Sequence, residues 1–218
     1  MKLVILDRDG TINYDSADFV KAEDEWVAMP GALEAIARLN HAGWHVVLAI
    51  NQPGLGRGLF EMAALNRIHA KMHRLLAAQG GRIDAVFFCP HAPDEGCACR
   101  KPKPGLFEQI RERYGVEAKD VPAAGDGLRD AQAAAAAGCE VHLLLTGQGA
   151  ALREPLARGE PLPAGWPPGT RVHDDLAAFA TFLLAREEER QAAAAAASNS
   201  PPSPAAPPAA SAMPAQAA

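Results

Sequence analysis

Short apolar segments recur along the chain at 3–6, 44–50, 85–88, 121–125 and 141–145. Their apolar residues are consecutive, which is typical of strands buried on both faces of a parallel sheet. Between them, the segments 31–42, 61–79, 104–114 and 128–137 carry apolar residues at helical spacing. This alternation predicts an α/β fold with a doubly wound parallel sheet.

Polar and charged residues follow several of the predicted strands. In a sheet of this kind, ligands bind beyond the carboxyl ends of the strands, so these residues are expected to meet at one edge. The group contains three carboxylates, two amides and three cations: Asp7, Asp9, Asp126, Asn51, Gln52, Arg57, Arg100 and Lys101. The sequence therefore predicts a polar site at that edge.

Asp7 and Asp9 lie two positions apart directly after the first apolar segment. Carboxylates at this spacing suit a Mg²⁺ site, and Asp126 is a candidate third ligand. A carboxylate can also attack phosphorus as a nucleophile, while a second one moves the proton of the leaving oxygen. The alternative is a local turn, because Asp-Arg-Asp-Gly is also good turn chemistry. Asp130 either supports Asp126 from the next helical turn or is a surface acid.

The four potential zinc ligands fall within eleven residues, in the order Cys89, His91, Cys97 and Cys99. Three thiolates and one imidazole complete a tetrahedral structural Zn²⁺ site. A loop of unrelated buried cysteines is the alternative. Cys139 is interpreted as a small buried thiol. The His69–His73 pair has helical spacing but lacks the glutamate of a zinc protease, so it is expected to face solvent.

Composition limits the classes of function. The 218 residues carry 26 acidic against 21 basic side chains and a net charge of −5, which does not favour nucleic-acid binding. No apolar run reaches the roughly 18–20 residues of a membrane helix, and the early charge at Asp7 argues against a signal peptide. A cytoplasmic monomer is expected. We predict one domain at 1–190 and a disordered Ala/Pro/Ser-rich tail at 191–218, in which the alanines of 192–197 could extend a helix.

Three motifs resemble those of the haloacid dehalogenase-like (HAD) phosphohydrolases: "DRDGT" at Asp7, "CRKPKPG" at Lys101 and "AGD" at Asp126. The resemblance implies a HAD-like fold with a minimal cap and a Mg²⁺ ion held by Asp7, Asp9 and Asp126. It also implies that Asp7 is the nucleophile, that Asp9 is the general acid/base and that Lys101 stabilises the phosphoryl group.

Within this family, a zinc loop that runs into "CRKP" resembles the heptose-bisphosphate phosphatases and the histidinol-phosphate phosphatases. Arg57 in "NQPGLGRG" favours the former, whose product leads to nucleotide-activated heptose for lipopolysaccharide. By this resemblance the substrate is a sugar bisphosphate that loses its 7-phosphate. Its expected contacts are Asp15, Asp18, Asn51, Gln52, Arg57 and Arg100. Histidinol phosphate as the substrate, or sugar-phosphate binding without turnover, are the alternatives.

Ile50 departs from the family pattern. The family has Thr or Ser at the end of the second strand, and Ile50 lacks their hydroxyl. Loss of one such donor typically lowers the rate by about 10²–10³. A slowed enzyme is therefore expected, in which Ile50→Thr would raise kcat. Gly127 also replaces a larger residue of many relatives.

Overall fold

The computed structural model describes residues 1–198 and contains one six-stranded parallel sheet, in the order β3-β2-β1-β4-β5-β6. The strands are β1 (Lys2–Leu6), β2 (Trp44–Asn51), β3 (Ala85–Cys89), β4 (Pro122–Gly125), β5 (Glu140–Leu144) and β6 (Arg171–His173). The strand β1 is central, with Leu6 opposite both Leu48 of β2 and Ala124 of β4. The predicted doubly wound parallel sheet is confirmed.

Helices cover both faces of the sheet. They are α1 (Ala32–His41), α2 (Pro53–Gly56), α3 (Met62–Ala78), α4 (Gly105–Tyr114), α5 (Leu128–Ala136), α6 (Arg153–Ala157) and α7 (Leu176–Ser198). Val4 and Leu6 pack in the core on one face, and Leu3 and Ile5 pack in the core on the other. Two covered faces explain why the strand segments are apolar at every position.

The sequence pattern missed the edge strand β6 and the short helices α2 and α6. Strand β6 has only three residues, and two of them, Arg171 and Val172, are exposed. An exposed edge strand of this length carries no apolar run that a pattern could detect.

The chain divides into a compact unit, Met1–Leu184, and a second unit, Ala185–Ala218. Helix α7 continues to Ser198, so residues 191–198 are helical although they fall in the predicted disordered tail. Residues 199–218 lie outside the described residues, and the prediction of disorder there stays a prediction. Among residues 1–198, no helix combines the length and apolar character needed to cross a membrane.

Candidate active site

The carboxyl ends of the central strands border a cleft of about 350 Å³. Most of the predicted site residues line it, namely Asp7, Asp9, Asp15, Asn51, Arg57, Arg100, Lys101 and Asp126. The further lining residues include Phe19, Arg129, Asp130 and Gln148, which were not predicted as site residues. The convergence expected from the sheet topology is therefore observed.

Lys101 links two of the carboxylates in the cleft. Its Nζ lies 2.7 Å from Asp7 Oδ1 and 2.5 Å from Asp130 Oδ1, and it also donates to the Ala49 carbonyl oxygen at 2.7 Å. Burial opposes the charge on this lysine, but Asp130 and Asp7 outweigh it and raise the pKa of Lys101. The lysine is therefore a fixed cation next to the proposed nucleophile.

Asp126 is a buried carboxylate enclosed by backbone. Its Oδ2 accepts a hydrogen bond from the Gln148 N–H at 2.7 Å. Gly10 and Gly147, both at positive φ, border it so closely that a Cβ atom on either would overlap the carboxylate. Burial and the charges of Asp7 and Asp130 raise the pKa of Asp126 to about 8.

Asp7, Asp126 and Asp130 form a candidate cation site, with carboxylate oxygens within 4.8 Å of one another. Burial raises the pKa of Asp7 to about 7 against the opposing effect of Lys101. When ionised, the three acids and Lys101 carry a net charge of −2, which suits a divalent cation with oxygen ligands. These residues therefore fit Mg²⁺, and Asp130, which the sequence left ambiguous, belongs to the group.

The carboxylate of Asp9 lies outside this group, and its place in the predicted ligand set of Asp7, Asp9 and Asp126 stays a prediction. Its oxygens accept hydrogen bonds from Arg8 at 2.8–3.0 Å and from Asn13 Nδ2 at 2.9 Å. Because Arg8 and Asn13 occupy both oxygens, the side chain of Asp9 is directed to the arginine and not to the other three acids.

Three arginines, Arg57, Arg100 and Arg129, line the same cleft. Burial lowers the pKa of Arg100, and the positive charges of Arg129 and Arg57 lower it further. Arg57 also lies over the ring of Phe19, 5.7 Å from its centroid. Three guanidinium groups that line one cleft form a site for an anion, and their geometry matches phosphate.

The remaining predicted substrate contacts have different positions. Asp15 lines the cleft, whereas Asp18 is exposed and Gln52 is buried against Arg8. Asn51 exchanges two 3.1 Å hydrogen bonds with the backbone of Lys101. The predictions of direct substrate contact for Asp18 and Gln52 are therefore not supported, and Asn51 holds the loop that carries Lys101.

The position of Ile50 bears on the prediction that its missing hydroxyl slows the enzyme. Its side chain is 1% exposed and packs in the core with Val46 and Leu48, away from the lining of the cleft. A hydroxyl at this position would extend into the core, so the predicted slowing by Ile50 is not supported.

We accordingly expect Ile50→Thr to leave kcat within about threefold of the parent value, because the new hydroxyl would lie in the core. A donor that reached the phosphoryl group would instead change kcat by about 10²–10³. Steady-state phosphate release would measure this, with Ile50→Val as the control for side-chain volume. A rise of about tenfold or more in the threonine variant alone would show that residue 50 reaches the phosphoryl group.

The predicted zinc ligands form a compact group of three thiols and one imidazole. The Sγ atoms of Cys89 and Cys99 each lie 3.6 Å from Cys97 Sγ. His91 Nδ1 lies 3.5 Å from Cys89 Sγ and 3.3 Å from Cys99 Sγ. Tetrahedral Zn²⁺ with bonds of about 2.3 Å to sulfur would separate two sulfurs by about 3.8 Å, so these four side chains fit the ion.

The zinc-site candidate is directly connected to the cleft. Burial opposes the thiolate of Cys97, but hydrogen bonds from the Arg100 N–H and from the neighbouring thiols lower the pKa of Cys97 to about 7. Arg100 and Lys101 follow Cys99 in the chain. The positions of these two cations therefore depend on the cysteine loop.

Comparisons with known proteins agree with this geometry. The model of the haloacid dehalogenase-like hydrolases matches residues 15–138. The D-glycero-beta-D-manno-heptose-1,7-bisphosphate 7-phosphatase of Bordetella bronchiseptica is 60% identical over 84% of this chain and 98% of its own length. The enzyme of the same name from Pseudomonas aeruginosa is 48% identical over 84% of this chain and 97% of its own.

Solved structures give the same result. The D,D-heptose 1,7-bisphosphate phosphatase of B. bronchiseptica, complexed with magnesium and phosphate, has a TM-score of 0.79 and 59% identity. The match covers 85% of this chain and 99% of that one. The corresponding enzyme of Burkholderia thailandensis has a TM-score of 0.64 and 52% identity, over 84% and 99% of the two chains.

Proposed function

The chain belongs to the haloacid dehalogenase-like hydrolases, and we propose that it removes the 7-phosphate from D-glycero-β-D-manno-heptose 1,7-bisphosphate. Relatives of that name match nearly their whole length, and their names specify the β anomer. The product would supply the formation of nucleotide-activated heptose for lipopolysaccharide.

The observation that carries this proposal is that two chemically different groups of residues line one cleft. Asp7, Asp126, Asp130 and Lys101 form a group suited to a cation and a reacting phosphoryl group. Arg57, Arg100 and Arg129 form a group suited to a second anion. A substrate with two phosphates satisfies both groups.

Each reacting residue has a distinct role in the proposed reaction. Asp7 attacks phosphorus, and Asp9 donates a proton to the sugar oxygen as its bond to phosphorus breaks. Asp9 then takes a proton from the water that attacks the aspartyl-phosphate, which releases phosphate and restores Asp7. Lys101 balances the charge of Asp7 throughout. Mg²⁺, when bound by Asp7, Asp126 and Asp130, would supply charge stabilisation for the phosphoryl oxygens.

The proposal also covers the metal ions, the oligomeric state and the location of the protein. Magnesium is present in the related structure from B. bronchiseptica, and the three-acid group supports the same ion here. Structural zinc at Cys89, His91, Cys97 and Cys99 is supported by their spacing. We propose a monomer that acts in the cytoplasm on a small molecule, without a nucleic-acid or membrane partner.

Phosphate release from a substrate panel tests this function. With Mg²⁺, we expect kcat/KM to be highest for the β-anomeric heptose bisphosphate, lower for the α anomer, and at least about 10²-fold lower for histidinol phosphate, which lacks the second phosphate. Faster turnover of histidinol phosphate would reject the heptose assignment. Tight binding of the heptose bisphosphate without release of phosphate would instead indicate a binding protein.

A further inference from the structure

Arg8 is a charged residue in the middle of the molecule, and its side chain is 0% exposed. It lies between Asp7 and Asp9 but does not line the cleft. A guanidinium group removed from water is costly unless its donors are satisfied, so its partners indicate what it does.

All five N–H donors of Arg8 have acceptors. Nε and Nη2 donate to Asp9, to Oδ1 at 3.0 and 2.8 Å and to Oδ2 at 2.8 Å. Arg8 has donors only, so the adjacent Gln52 amide must turn its oxygen toward it, accepting from Nη1 at 3.1 Å and Nη2 at 2.7 Å. The remaining Nη1 donor lies 3.3 Å from His69 Nε2.

His69 is an acceptor in this arrangement. It was expected to face solvent with His73, but the structure directs it inward against Arg8 while His73 is exposed. Burial and the charge of Arg8 lower the pKa of His69 to about 4. The imidazole is therefore neutral at pH 7, with Nε2 free of a proton and able to accept from Arg8.

We propose that Arg8, supported by Gln52 and His69, is the positioning residue of the general acid/base, and that it fixes the carboxylate of Asp9 in the orientation needed for proton transfer. The inference rests on the proposed function. The fork of Arg8 contacts both oxygens of Asp9, and Gln52 and His69 contact the other side of the guanidinium group. In the series of contacts from His69 on helix α3 through Arg8 to Asp9, no side chain is therefore free to rotate.

The nature of the leaving group distinguishes this role from a purely structural one. An alkoxide leaves phosphorus only with a proton from Asp9, whereas p-nitrophenolate leaves as a stable anion. A defect in the position of Asp9 therefore slows the hydrolysis of a sugar phosphate much more than that of p-nitrophenyl phosphate. A general loss of structure slows both reactions equally.

Arg8→Lys keeps the charge but not the fork. We expect it to lower kcat on the heptose bisphosphate by about 10²–10³, the scale of general acid catalysis, with KM changed less than about threefold. On p-nitrophenyl phosphate the fall should be at least about tenfold smaller. In an Asp9→Asn background, Arg8→Lys should cause no further loss on the heptose bisphosphate, because both changes act on one step.

Variants of His69 keep the test valid if Arg8→Lys does not fold. His69→Leu removes the acceptor and should reproduce the leaving-group-dependent loss, whereas His69→Gln keeps an acceptor at similar reach and should recover most of kcat. His73→Leu, one turn further along the same helix and exposed, is the matched control and should match the parent.

Three results overturn the proposal in distinguishable ways. Equal losses on both substrates, or a further loss in the Asp9→Asn background, would show that Arg8 is only structural while the proposed function stands. Full activity of His69→Leu on the heptose bisphosphate would exclude the support from α3. A parent protein that releases phosphate from neither substrate would remove the proposed function, and this inference with it.

Discussion

Asp7→Asn is expected to abolish phosphate release, with a fall in kcat of at least about 10⁴-fold, as found when a covalent nucleophile is removed. The amide cannot attack phosphorus, and the substitution also removes the carboxylate that Lys101 contacts at 2.7 Å. Steady-state phosphate release measures the fall, and Asp18→Asn, which is exposed and does not line the cleft, is the control for an acid that does not react. Residual turnover within about a hundredfold of the parent would show that another group attacks.

The same variant is expected to gain thermal stability when no Mg²⁺ is added. The folded protein raises the pKa of Asp7 from 3.8 to about 7, mainly by burial, so Asp7 destabilises the fold increasingly as the pH rises from about 4 to 7. Asparagine cannot ionise and avoids this cost. The Tm advantage over the parent should therefore be larger at pH 8 than at pH 5. An equal or lower Tm at pH 8 would contradict the dominance of burial at this site.

Cys99→Ser is expected to release zinc and to lower kcat by about 10² or more, although no cysteine enters the reaction. Structural zinc contributes folding free energy directly, and loss of one of four ligands opens the site. Arg100 and Lys101 follow Cys99, so their side chains would lose their fixed positions. Metal analysis of the purified variant and its kcat measure the two effects.

Cys139→Ala provides the matched control for the zinc prediction. Cys139 is also a buried cysteine, 7% exposed, but it packs in the core near Val141 and away from the four-ligand group. This variant should retain one zinc per chain and the kcat of the parent. Full activity in zinc-free Cys99→Ser would show that the loop keeps its shape without the metal.

The sheet and the main helices were predictable because burial on two faces leaves a strong local pattern. The predicted segments 44–50 and 104–114 agree with β2 and α4 to within a residue at each end. Strand β6 was missed, because it depends on pairing with β5 at an exposed edge, which no local pattern encodes.

The residues of the candidate site were predictable for a different reason, since Asp7, Lys101 and Asp126 lie in contiguous motifs, and Asp7 and Asp126 directly follow strands. Arg129 and Asp130 enter the same cleft from the first turn of α5, and their roles depend on how that helix begins after β4. A start of α5 immediately after "GDG" was the available signal. The contact of Arg8 with His69 joins residues 61 positions apart and had no sequence signal.

Asp126 cannot retreat from its position, because the backbone of Gly10 and Gly147 lies directly against its carboxylate. We expect this rigidity to restrict the ionic radius that the three-acid group accepts. Calcium needs 6–8 oxygen ligands at 2.3–2.6 Å and a flexible cage, whereas magnesium accepts a small, nearly octahedral one. The two glycines, which place no side chain against Asp126, would thus let the protein distinguish magnesium from calcium without an extra ligand.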